Sequence, residues 1–92
     1  MDMNTVTLEQ ITRIVDEAET AEAVFWCKEV VVSYKIYNGF TILGRGACVD
    51  PANFNLEKGR EVARRDVIQQ LWQLEGYLLQ NRLYESTPEV ST

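Results

Sequence analysis

The chain contains no histidine. That removes the side chain that most often serves as a general base near neutral pH and as a metal ligand, and it leaves any cysteine nucleophile without its usual activating partner. The five glycines never assemble into a loop that cradles phosphate. There are two cysteines, Cys27 and Cys48, without CxxC spacing and in apolar surroundings, so both are expected to be buried, reduced thiols of a cytosolic protein. A disulfide or redox role is the alternative. No apolar run approaches the roughly 20 residues that span a bilayer, and residues 1–10 lack the apolar segment of a secretion signal. Membrane association is not expected. Positive charge is the minority sign: 9 basic against 14 acidic residues give a net charge of -5. Nucleic acid repels such a chain unless its lysines and arginines gather on one face, so direct binding to it is not expected.

What remains is enough for one small domain. Of the 92 residues, 46% are hydrophobic, which supports a core near the lower limit of independent stability. Thr7 followed by Gln10 has the form of a capping box. Behind it Leu8, Ile11, Ile14, Val15 and Ala18 recur every three or four positions, predicting a helix over 8–19. Asp16, Glu17 and Glu19 oppose the dipole at its far end and stop it before Val24. The period then changes to two. Val30, Val32, Tyr34 and Ile36 point one way, Val31, Ser33, Lys35 and Tyr37 the other. Asn38-Gly39 offers the two positive-φ positions of a type I′ hairpin turn, and a return strand runs from Phe40 to about Cys48. Gly44 and Gly46 flank Arg45, which predicts a bulge or a close backbone approach. Residues 24–27 either add a third strand or extend the first.

Asp50-Pro51 starts a tight turn over 51–54. Asn55 then caps a helix from Leu56 to about Tyr84 that contains no proline. About 28 residues make a rod of about 42 Å, longer than so small a core can cover. The expected fold is α+β: a short N-terminal helix and an antiparallel β-hairpin of two to three strands, packed on one long C-terminal helix. A single domain is expected over 1–84, followed by a disordered polar tail over 85–92. On the rod, Ala63, Val67, Leu71, Leu74 and Leu78 form a stripe assigned to the core. Ile68, Trp72, Leu79 and Leu83 form a neighbouring stripe. One hairpin and one short helix can hardly shelter both, so the second stripe is read as the interface of a homodimer.

Candidate chemistry is sparse. Cys48, Asp50 and Asn53 meet at a strand-to-helix junction, where loops often carry function. The plainer reading makes Asp50 a cap, has Asn53 bond its own backbone, and uses Phe54 to seal the hairpin against the helix. Arg60 and Arg64, one turn apart, are placed to hold a phosphate or an acidic partner. The plainer reading pairs them with the interleaved Glu57, Glu61 and Asp66. Gly76 in mid-helix suggests close packing of another element, with Tyr77 beside it as a partner or ligand contact. No two carboxylates form a recognisable acid/base couple. The expectation is therefore a protein that is not an enzyme and uses no cofactor and no metal.

Several of these blocks occur together in one known family. Asn38-Gly39-Phe40-Thr41, then Ala47-Cys48-Val49-Asp50-Pro51-Ala52-Asn53-Phe54, Gly59-Arg60 and Leu74-Glu75-Gly76-Tyr77-Leu78-Leu79 resemble the small tailed-phage protein family typified by phage N4 gene 49 and phage Sf6 gene 66. The likeness spans about residues 30 to 83, and Arg45 departs from the acidic or small polar residue expected there. The family has no assigned activity, so the resemblance implies no catalytic residue. It implies a phage or prophage protein working in the host cytoplasm. By analogy with other small acidic phage proteins, the expected role is binding and modulating a host protein or protein complex, such as a defence (anti-CRISPR-like) component. The alternative is a sponge for a small phosphorylated ligand such as a nucleotide signal, held by Arg60, Arg64 and Arg45.

Overall fold

Thr7 opens the first helix as the sequence predicts. Its hydroxyl accepts from the Gln10 N–H at 3.1 Å, and the Gln10 side chain accepts from the Thr7 N–H at 2.8 Å. The computed structural model describes residues 5–86. Helix α1 covers Leu8–Asp16 and is followed by β1 (Glu19–Phe25), β2 (Glu29–Lys35), β3 (Thr41–Ala47), a single 3-10 turn (Pro51–Asn53) and α2 (Leu56–Ser86). The sheet is antiparallel in the order β1-β2-β3. Glu19 pairs with Lys35 and Phe25 with Glu29 across the first ladder, and Lys35 with Thr41 and Glu29 with Ala47 across the second. The fold is α+β, with one more full strand than the hairpin alone.

That strand begins at Glu19, where the sequence suggests the last residues of a helix. Its composition, Glu-Thr-Ala-Glu-Ala-Val-Phe, gives little β preference. Pairing along the whole of the valine-rich β2 overrides it. The hairpin turn differs from expectation. At Asn38-Gly39 only Gly39 takes a positive φ, of 90°. The Gly39 N–H donates to the Ile36 carbonyl and the Ile36 N–H to the Phe40 carbonyl, both at 2.9 Å, so three residues rather than two make the loop. The paired positive φ values occur instead at Trp26 (59°) and Cys27 (55°), where the Lys28 N–H closes a turn onto the Phe25 carbonyl at 3.0 Å.

The core lies between the sheet and the two helices. Ile11 and Val15 of α1, Val30, Val32 and Tyr34 of β2, Ile36 at its end, Ile42 of β3, and Ala63, Val67 and Leu71 of α2 are its buried members. The ladder is unbroken at Gly44 and Gly46, opposite Val32 and Val30, so these glycines serve close approach rather than a bulge. A Cβ on Gly44 would overlap the Ala63 carbonyl, and one on Gly46 the Gly59 carbonyl. Backbone therefore rests on backbone. Asn55 caps α2, its side chain accepting from the Lys58 N–H at 3.1 Å. Phe54 packs on the core, its ring bordering Gly59.

From that seat α2 runs antiparallel to β3. Gly59 lies against Gly46 and Ala63 against Gly44. The Gln70 amide then donates to the Leu43 carbonyl at 2.8 Å, and the Tyr37 hydroxyl to Glu75 at 3.3 Å. Seven-residue strands reach about 23 Å, whereas a 31-residue helix reaches about 46 Å. The hairpin tip meets α2 at Glu75, through Tyr37, so residues 76–86, roughly three turns of helix, lie past it. Leu74 and Leu78, expected in the core, remain 37% and 38% exposed, because the sheet has ended before they are reached. Glu85 and Ser86 continue the helix. The rest of the expected tail, 87–92, lies outside the described residues.

Candidate interaction site

The three arginines expected to converge on a phosphate do not converge. Arg60 grips the Glu22 carboxylate of β1 through Nε (2.9 Å) and Nη2 (2.6 Å). Arg64 Nη1 donates to Asp16 of α1 at 2.7 Å. Arg45 Nε donates to Glu29 at 2.6 Å. The partners are distant in sequence, not the Glu57, Glu61 and Asp66 interleaved on the helix, so two of these pairs tie β1 and α1 to α2. Arg45 also alternates with Gly44 and Gly46, which face α2, and so projects from the opposite side of the sheet. The hydrogen bond from Arg60 holds the Glu22 carboxyl below its ordinary range, and the same bond raises the Arg60 guanidinium.

The 48–54 junction is occupied by its own hydrogen bonds. Asp50 accepts from the Ala52 N–H at 3.0 Å, its carbonyl accepts from the Asn53 N–H at 2.9 Å, and the Cys48 thiol donates to the same carbonyl at 3.1 Å. Asn53 instead lines a shallow groove with Cys48, Phe54, Lys58, Gly59 and Val62, about 150 Å³ in volume. Pockets for small-molecule ligands run to about 300–1,000 Å³, so this groove has room for a single side chain. Among the described residues, no group of three or more cysteine, aspartate and glutamate side chains is arranged to hold a metal ion. No described helix is long and apolar enough to cross a membrane.

Exposed large apolar side chains gather at the two ends of the molecule. At one end is the turn between β1 and β2, close to the start of α2 because the Cys48 N–H donates to the Lys28 carbonyl at 2.9 Å. Trp26 is 80% exposed there, Phe25 and Val24 precede it with partial exposure, and Val49 stands open nearby. Cys27, expected to be buried, is exposed, and Cys48 is half-buried. The sequence offers no glycine or asparagine to announce this turn, which is why Trp26 escapes a reading by turn residues. The outer edge of β1 is open too, since among the described residues β1 pairs with β2 alone and all seven of its residues are exposed.

The other end is the overhang of α2. Ile68 packs against its own core and is only partly exposed. Trp72 is 37% exposed, Leu79 and Leu83 are half-buried, and Tyr77 is 70% exposed. Among the described residues nothing lies within 4 Å of a Cβ placed on Gly76, so no described element packs there. The Tyr37 phenol is pushed up by burial and by the neighbouring Glu75 carboxylate, to which it donates. The uncovered apolar surface is thus the end of the rod, including Leu74 and Leu78, rather than one stripe along its length.

The model of a phage protein (N4 Gp49/phage Sf6 gene 66) family matches residues 6–83. That span takes in α1, the sheet, the junction and most of α2. No curated protein and no solved structure gave a match.

Proposed function

The chain belongs to the phage protein (N4 Gp49/phage Sf6 gene 66) family, and from that premise we propose that it is a non-enzymatic interaction protein. It binds and modulates a host protein or protein complex in the host cytoplasm, a defence (anti-CRISPR-like) component being the class placed first. The observation that carries this reading is Trp26, held at φ 59° and 80% exposed. A left-handed backbone costs a non-glycine residue about 1–2 kcal/mol, and strain of this kind concentrates where a surface is used. Large aromatic anchors dominate binding energy at protein interfaces. The open β1 edge beside it offers backbone groups to an extended partner segment. A net charge of -5 suits competition with nucleic acid for a basic groove.

The test is capture from host lysate on tagged protein at low and high salt, read by mass spectrometry, beside a Trp26→Ser variant that retains its circular dichroism. One host protein enriched by the parent chain and lost with Trp26→Ser is expected. No reproducible partner, or one indifferent to Trp26, overturns the reading.

A sponge for a phosphorylated ligand takes second place, because Arg45, Arg60 and Arg64 each already hold a carboxylate. Thermal-shift screening separates the two. A ligand at about 100 times its Kd adds about 2.7 kcal/mol of stability, and no shift across cyclic and linear nucleotides retires the sponge.

A further inference from the structure

We propose that the overhanging end of α2 docks a second copy of this chain, antiparallel, about a twofold axis between Leu78 and Leu79. The argument does not depend on the host partner, which is assigned to the opposite end of the molecule.

It begins with two charges. Glu75 and Arg82 are seven positions apart and so lie on one face, about two turns from each other. Leu74 and Leu78 flank that line on one side, Trp72 and Leu79 on the other. Four ion pairs form among the described residues, joining Lys35 to Glu19, Arg45 to Glu29, Arg60 to Glu22 and Arg64 to Asp16. Glu75 and Arg82 belong to none of them. Glu75 accepts the Tyr37 hydroxyl, at 3.3 Å. Two opposite charges thus stand in the middle of an apolar face, both beside the Tyr37 phenol, which donates to Glu75 and whose pKa, raised by burial, Arg82 partly lowers. Arg60 and Arg64 of the same helix, by contrast, have found carboxylates.

A second helix laid antiparallel answers both charges at once. With the axis between Leu78 and Leu79, Glu75 of each copy lies opposite Arg82 of the other, and Leu78 lies opposite the second copy's Leu79. A parallel pair would set Glu75 against Glu75 and Arg82 against Arg82. Charge therefore selects one orientation and one register. The antiparallel arrangement also brings each carboxyl end up to the other's hairpin tip, where Tyr37 and Phe40 are exposed. Gly76 falls at the flank of the contact, which agrees with the open space around it. Trp72, Leu74 and Leu78, each a little over a third exposed, are the apolar surface that a monomer leaves in water.

Sedimentation equilibrium on the full chain tests this, with circular dichroism as the check on folding. The parent chain is expected to dimerise, and Leu78→Asp or Trp72→Glu to weaken dimerisation at least tenfold while the helix signal persists. Glu75→Arg and Arg82→Glu, each alone, should weaken it about tenfold, and the double exchange should restore it to within about threefold. A monomer at about 100 μM, a concentration that would populate a dimer of micromolar Kd, overturns the proposal. So does a dimer indifferent to Leu78→Asp and Trp72→Glu. A double exchange as weak as the single ones overturns the register.

Discussion

At the scale of single residues, the chain holds three positions where geometry fixes the sign of a substitution. Gly44→Ala drives a methyl into the Ala63 carbonyl, and since backbone cannot turn aside as a side chain can, a loss of about 1–3 kcal/mol is expected in urea unfolding. Gly76→Ala meets nothing and should gain about 1 kcal/mol from helix propensity. Trp26→Asn removes left-handed strain from an exposed side chain, and asparagine tolerates that region far better. It is expected to raise the unfolding midpoint by about 1 kcal/mol equivalent while abolishing host-protein capture. Gain of stability with loss of binding is what distinguishes a tryptophan kept for contact from one kept for the fold.

At the scale of elements, local chemistry was legible and coverage was not. The Thr7–Gln10 box, the alternation through Val30, Val32 and Tyr34, and the Asn55 cap are each written in adjacent residues, and each is found in place. Asn55→Ala should accordingly cost about 1 kcal/mol, measured by thermal unfolding. β1 was largely hidden because its alanines and glutamates acquire strand geometry only from β2. The exposure of Leu74 and Leu78 was hidden because it depends on where another element stops, which no periodicity within the helix encodes. The arginine pairs have a similar cause: helix neighbours at three or four positions compete with carboxylates that the fold delivers from β1 and α1. Glu22 shows what that delivery does. Its folded pKa lies below the ordinary glutamate value of 4.5, because Arg60 donates to the carboxylate, so its contribution to stability is present above that value and is lost as pH falls through the folded one. Glu22→Gln should melt lower than the parent at pH 7, with the difference narrowing as pH falls below about 4.5.

At the scale of the whole molecule, the shape is a blade with a handle. The principal extents are 61 × 26 × 20 Å and the radius of gyration is 17.1 Å, against about 12 Å for a compact domain of this length. Small-angle scattering at low concentration should return the elongated value. On raising the concentration it should grow along one axis only, because joining helix ends adds length without adding width.

The glycine seat beneath α2 decides how such a body transmits force. A rod resting on side chains can roll a few degrees as they change rotamer, but one lodged carbonyl to strand at Gly44 and Gly46 has no such bearing to turn on. The bearing of the far tip is therefore set where the helix is moored, as the swing of a boom is set by its socket. Anything gripping that tip would be aimed by two missing methyl groups.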